Sequence, residues 1–235
     1  MNTFKLNNGY EIPVIGLGTF LAPKEECYNA CLWALKAGYR QIDTAQNYKN
    51  EEAVGKALKA SGVKREDVFI TSKLQISRYG KNNTKKAVLK SINDLGVDYI
   101  DLYLMHWPSQ SYEMNLETYH ALEEMVNEGY IRSIGVSNFQ IHHLEHLLPY
   151  VRIKPVMNQI ELHPGLSQNG VLKTIDNSIP TTIALKITGK IPATNKFLEN
   201  ITQITANEVA IVPITISILS LIHISEPTRH AQISY

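Results

Sequence analysis

Four side chains in the first half of the sequence, Asp43, Tyr48, Lys73 and His106, are of types that together move protons at a polar double bond. Asp43 and Lys73 each end a short apolar run. A carboxylate and an ammonium so placed need each other, because desolvation otherwise neutralises both and pairing keeps the lysine charged. Tyr48 follows Asp43 by five residues, in the loop after that run. Near Lys73, its phenol is expected to have a pKa lowered by the ammonium and to give a proton to a carbonyl. His106 can then hold the carbonyl oxygen, with Trp107 and Pro108 as an apolar wall for a substrate. Taken singly, each has an ordinary explanation, such as a loop aromatic or a satisfied core histidine. Their joint placement at the ends of successive segments is what points to chemistry.

The elements that must position them read as a regular alternation. Apolar runs bounded by polar residues recur at Arg40 to Asp43, Val68 to Lys73, Tyr99 to His106, Ile131 to Asn138 and Pro155 to Glu161, the pattern of buried parallel strands. Between them, Lys24 to Ala37, Asn50 to Ala60, Asn83 to Leu95, Leu116 to Asn127 and Ile141 to Leu148 carry helical period. Gly38, Gly62, Gly96 and Gly129 follow four of these helices, where left-handed caps are wanted. Alternation at spacings of about 22 to 33 residues predicts a parallel α/β sheet with right-handed crossovers. Two features favour closure into a barrel. Leu6 to Phe20 reads as a hairpin with Asn8-Gly9 as a two-residue turn, suited to plugging a barrel bottom. No GxGxxG follows the first strand, as an open dinucleotide-binding sheet would require; Gly16-Leu17-Gly18 is a lone GxG and reads as a tight strand end. In a barrel the strand ends converge on one face, so Thr19, Asp43, Lys73, His106, Ser137, Asn138, Gln159 and Glu161 are expected to meet in one pocket.

These residues carry a resemblance to the aldo-keto reductase family. GLGTF at 16–20, GYRQIDTAQNYKNEEAVGKAL at 38–58, ITSKL at 70–74, LGVDYIDLYLMHWP at 95–108, IRSIGVSNF at 131–139 and NQIELHP at 158–164 match its signatures in order, over about residues 4 to 173. The resemblance implies a (β/α)8 TIM barrel with an N-terminal hairpin, and reversible NADPH-dependent reduction of aldehydes or ketones. It implies Tyr48 as general acid, tuned by Lys73 and Asp43, and His106 as the residue that orients the carbonyl. Ser137, Asn138 and Gln159 match positions that hold the nicotinamide carboxamide, and Thr19 and Asp43 lie where early strands meet the cofactor. Tyr48, His106 and Trp107 line the substrate side. Gln75 departs from the pattern, standing where many relatives carry tryptophan, which leaves substrate choice open. The rival reading is a non-catalytic nucleotide-binding regulatory relative; all four catalytic positions are filled, which disfavours it.

Composition narrows the partners. With 23 Lys plus Arg against 22 Asp plus Glu, the net charge of +1 gives no electrostatic reason to expect nucleic acid or membrane. The start, MNTFKLNNGYEIP, lacks a secretory pattern, so a cytoplasmic location is the expectation. The expected partner is a small carbonyl compound, and the chain is expected to act as a monomer. Cys27 and Cys31, four apart on a helix, read as core residues. His142, Glu145 and His146 form H-x-x-E-H, an inverted zinc-protease pattern, but on an outer helix without a further acidic ligand, so no metal is expected. Lys81, Lys85, Lys86 and Lys90 read as the wet side of one helix.

After Lys173 the pattern decays. Residues 1–173 read as the barrel, and 174–218 as a degraded remnant that keeps NKFLENI but lacks the expected seventh-strand tyrosine and the segment that grips the adenosine phosphate. The barrel is therefore expected to be incomplete, truncated at its C-terminal end with its last one or two strands missing or corrupted, and this exact chain to be inactive. An apolar, β-branched run at Val209 to Ile224, beside unpaired edges, predicts aggregation. LSLIHISEPTR at 219–229 equals the translation of a sequencing-library transposase adapter, so residues 219–235 are expected not to be native sequence.

Overall fold

The computed structural model describes residues 2–161, together with the backbones of two later strands, 182–187 and 211–217. The chain opens with an antiparallel pair, β1 (Thr3–Lys5) and β2 (Glu11–Pro13), in the register Thr3↔Pro13. The hairpin is thus shorter and earlier than the sequence suggested. Its turn spans Leu6 to Tyr10, closed by Leu6 N–H to Tyr10 C=O at 2.7 Å, and it is not a two-residue turn. The loop has three residues because Gly9, left-handed at φ 91°, ends it and donates its N–H to the Leu6 carbonyl at 3.0 Å; Asn7 and Asn8 donate to the Pro155 carbonyl and the Ser133 hydroxyl, pinning the loop to the barrel. Ile15–Gly18, on the second arm of the expected hairpin, instead form β3, a barrel strand.

From there strand and helix alternate as expected: α1 (Lys24–Lys36), β4 (Gln41–Asp43), α2 (Glu51–Ser61), β5 (Phe69–Leu74), α3 (Lys81–Leu95), β6 (Ile100–Met105), α4 (Tyr112–Asn127), β7 (Ile131–Ser137), α5 (Ile141–Leu147) and β8 (Met157–Glu161). Boundaries fall within two residues of the periodic runs, except that α4 starts four residues earlier, where the Ser111 hydroxyl caps it by accepting Met114 N–H. α2 and α3 end at left-handed glycines, Gly62 (φ 72°) and Gly96 (φ 63°), conformations costly for any residue with a Cβ.

All barrel pairings are parallel, in the order β3-β4-β5-β6-β7-β8, and β9 (Thr182–Ile187) and β10 (Ile211–Ser217) close the ring between β8 and β3. Strand backbones therefore stand at both closing places. The proposed corruption, which concerns side chains and connections after Lys173, lies outside the described residues, as do residues 219–235. β10 pairs with a strand on each side, so its backbone is not an open edge.

Two apolar clusters hold the described part. Outside the ring, Ile42, Ile70, Tyr103, Ile134 and Val136 of the strands pack with helix residues such as Cys31, Val54, Val88 and Leu122. Inside, at the strand N-terminal end, Leu6 and Ile12 of the hairpin region pack on Phe69, Leu102, Leu104, Val156 and Met157. The hairpin does plug the bottom, which leaves the opposite end as the mouth. Cys27 and Cys31 are buried free thiols in the outer cluster, as expected.

Candidate active site at the barrel mouth

The strand ends deliver their polar residues to one place. Asp43 closes β4 and Lys73 lies one residue from the end of β5; both are enclosed, with side chains 6% and 1% exposed, and they form a direct ion pair. Lys73 Nζ also donates to the Thr44 carbonyl at 3.0 Å. Burial pushes the ammonium's pKa down, but the charges of Asp43 and Tyr48 and their hydrogen bonds push it up and prevail, so Lys73 stays a cation.

Tyr48 ends a single 3-10 turn, 46–48, in the loop between β4 and α2. Lys73 Nζ stands 5.2 Å from its ring centroid, and the His106 ring meets it edge-on with centroids 5.6 Å apart. Phe20 covers another side at 5.1 Å. The phenol's pKa is not lowered, as its neighbourhood with Lys73 suggests, but raised. Lys73 does pull the phenol's pKa down, but burial acts more strongly in the opposite sense and Asp43 adds to it, so the phenol sits above its ordinary value. The sequence shows the charge partner; it cannot show how completely the ring is enclosed.

The residues expected at the cofactor are joined to this group by hydrogen bonds. Gln159 Nε2 donates to the second Asp43 oxygen at 2.8 Å. Ser137 Oγ donates to the Gln159 carbonyl at 3.0 Å, and Asn138 Nδ2 donates to the His106 carbonyl at 2.9 Å and to Ser137 Oγ at 3.1 Å. Thr19, fully buried after β3, donates through both N–H and Oγ1 to the Asp43 carbonyl. Trp107 is 52% exposed beside His106, and its carbonyl accepts the Tyr79 hydroxyl at 2.5 Å. Glu161 closes β8 with its side chain exposed.

Sequence reasoning missed a second polar group behind β5. Glu51, at the start of α2, is 5% exposed and accepts the Ser72 hydroxyl at 2.6 Å; burial raises its pKa, while Ser72 and Ser91 draw it back. Gln46 donates to the Ala87 carbonyl and to Ser91 Oγ and accepts Gln75 N–H, fastening the loop before Tyr48 to α3. Gln75, Gln46, Lys49 and Arg78 line a cavity of about 430 Å³ there. In sequence, Glu51 looks like one more acidic residue in a helix's first turn.

The H-x-x-E-H residues do something other than converge on a metal. The His146 ring stacks on Tyr112 (centroids 3.8 Å, 4° apart), Glu145 is exposed, and His143 Nδ1 accepts the Gln140 N–H. That bond leaves His143 Nε2 as the protonated nitrogen of the neutral ring, 3.1 Å from His142 Nε2. Among the described residues no group of three His, Cys, Asp or Glu side chains could hold a metal ion. Lys81 and Lys85 pair with Glu124 of α4, Lys85 also with Glu128, and Lys90 pairs with Asp94, as a solvated helix face would.

Fold and site together define a parallel α/β barrel whose mouth gathers a buried lysine–aspartate pair, a phenol and an imidazole. The Aldo/keto reductase family matches residues 14–209, and the chain belongs to that family. It is 50% identical over 168 residues to a glyoxal reductase of Bacillus subtilis, covering 71% of this chain and 60% of that protein. It is 49% identical over 164 residues to the methylglyoxal reductase DkgA of Escherichia coli O157:H7, covering 70% and 59%. The chain thus spans about six tenths of the length of these curated relatives. A crystal structure of an aldo/keto reductase from Brucella melitensis superimposes with a TM-score of 0.81 at 39% identity, covering 92% of this chain and 87% of that one.

Proposed function

We propose that the protein reduces aldehydes or ketones reversibly to alcohols with NADPH. Tyr48 is the general acid, Lys73 and Asp43 tune it, and His106 orients the carbonyl. The observation that carries this reading is the phenol flanked by the buried Lys73–Asp43 pair and the edge of the His106 ring. When bound, the nicotinamide supplies the hydride. Tyr48 gives its proton to the oxygen on which negative charge develops, and the Lys73 ammonium stabilises the phenolate left behind. Asp43 keeps Lys73 charged in a site that would otherwise discharge it. A His106 ring N–H directed at the oxygen fixes the carbonyl's orientation, with Trp107 as the apolar side of the substrate site.

The groups left over fit a carboxamide: with Ser137 Oγ–H and both Asn138 Nδ2 bonds used within the protein, the amide oxygens of Asn138 and Gln159 can accept and the second Gln159 Nε2–H can donate. Thr19 and Asp43 border the same space. The two relatives' names favour small 1,2-dicarbonyl compounds among possible substrates. A small soluble carbonyl compound, free in the cytoplasm, requires neither nucleic acid nor membrane as partner. Among the described residues no helix is long and apolar enough to cross a membrane.

NADPH oxidation with glyoxal, methylglyoxal and simple aldehydes tests the reading. The chain and a version carrying a relative's sequence after residue 173 are compared, each with Tyr48→Phe. Turnover is expected, with Tyr48→Phe lower by about 10²- to 10⁴-fold. Undiminished turnover in Tyr48→Phe, or tight nucleotide binding without turnover in both parents, overturns it.

A further inference from the structure

Asn50 stands at the N-cap of α2, a position where an asparagine side chain ordinarily accepts a backbone N–H of the helix's first turn. Here it makes no such bond. Only 1% exposed, it turns instead toward the barrel mouth. Its Nδ2 donates to the Thr19 carbonyl at 2.9 Å and the Ala22 carbonyl at 3.1 Å. Its Oδ1 accepts the Thr44 hydroxyl at 2.9 Å and the Thr19 hydroxyl at 3.4 Å. One neutral side chain so joins the end of β3, the approach to α1 and the residue after Asp43.

These partners frame Tyr48. Thr44, held by Asn50 through its side chain, receives Lys73 Nζ on its carbonyl. Between Tyr48 and Asn50 lies Lys49, in the left-handed region at φ 57°, which is unfavourable for a residue with a Cβ and persists where surrounding contacts enforce it. A helix cap forgone and a strained neighbour retained both indicate that the loop's shape is worth more than the local stability given up.

We propose that Asn50 is a positioning residue: by clamping the Thr44–Asn50 loop to the end of β3, it sets where the Tyr48 hydroxyl stands relative to Lys73 and His106. This deepens the proton-donor reading of Tyr48 and rests on it. Because Asn50 touches Thr19 as well, it ties the acid's position to the strand end that borders the proposed cofactor.

The test uses charge-neutral variants of the full chain, so that an altered Tyr48 reports position and not an added charge. Asn50→Ser cannot span from Thr44 to Ala22; Thr44→Val removes only the hydroxyl that Asn50 receives. Tyrosines are labelled with ¹³C at Cζ, and Tyr48→Phe identifies the Tyr48 resonance. Tyr48 faces Asp43, Lys73 and His106, and its titration depends on its burial and on its distances from Lys73 and Asp43, all of which change if the loop shifts. Both variants are therefore expected to move the resonance and displace its titration midpoint, Asn50→Ser by about one pH unit, a tenfold change in proton affinity. In turnover, kcat is expected to fall about tenfold with the carbonyl KM within twofold. A folded variant whose Tyr48 resonance and titration match the parent overturns the proposal, and if Asn50→Ser does not fold, Thr44→Val decides. If Tyr48→Phe retains turnover, the general-acid reading falls, whereas an Asn50-dependent Tyr48 resonance still upholds the clamp.

Discussion

At the scale of single residues, burial decides the electrostatics. Burial holds the Tyr48 phenol above its ordinary pKa, with the pull of Lys73 only a partial offset. If Tyr48 is the general acid proposed above, reduction needs the protonated phenol, and kcat/KM for reduction is then expected to stay level through neutral pH and fall only on the alkaline side. Alcohol oxidation needs the phenolate and should rise with pH over the same range; initial rates in both directions check this. Replacing Asp43 by Asn leaves Lys73 as a buried ammonium without its counter-charge. Breaking such a pair costs about 3–5 kcal/mol, so Asp43→Asn should lower both the urea midpoint and turnover. Glu51 tests the same physics with the opposite consequence. Burial raises its folded pKa, so its contribution to stability is fully present below the unfolded value and lost as pH rises through the folded one. Glu51→Gln keeps an acceptor for Ser72 without the charge. It is expected to gain on the parent as pH rises from about 4.3 and then hold a constant advantage, as urea unfolding across that range will read.

At the scale of elements, the helices and strands were legible because their periodicities differ and glycines punctuate them. β5 is buried at every position and reads as a continuous apolar-to-polar run, FITSKL, ending on the site. What was not legible is how closely elements approach. Gly55 in α2 lies against the end of α3, and a Cβ there would stand 2.1 Å from the Leu95 carbonyl oxygen. Alanine would add about 1 kcal/mol of helix propensity, but a backbone oxygen cannot rotate aside, and overpacking costs about 1–3 kcal/mol. With a backbone oxygen at 2.1 Å the upper end of that cost applies, so after the propensity gain Gly55→Ala is expected to destabilise the chain by about 2 kcal/mol in chemical denaturation. The hairpin turn differs for a local reason: Asn8-Gly9 does lie in it, but Gly9 at φ 91° ends a three-residue loop, which Asn7 and Asn8 fasten to Pro155 and Ser133.

At the scale of the molecule, the hairpin closes one end of the barrel and frees the other for chemistry. Ile12 is fully buried beneath Phe69, Leu102 and Leu104. Ile12→Ala should cost about 2–5 kcal/mol in unfolding experiments while leaving KM for the carbonyl unchanged, because the plug and the mouth lie at opposite ends. For residues 219–235, reading the gene from an independent genomic library should give a different sequence in place of LSLIHISEPTR; its presence there would overturn the adapter reading.

By itself the sequence determined the alternation of strands and helices, the family, and which polar residues end the strands, because periodicity and strand-end chemistry are local properties of the chain. Only the tertiary structure decided that Gln159 reaches Asp43 across 116 positions, that burial outweighs Lys73 at Tyr48, and that Asn50 leaves its helix cap for Thr19 and Thr44. Desolvation and long-range hydrogen bonding depend on what the fold places around a group, and no spacing along the chain encodes that directly.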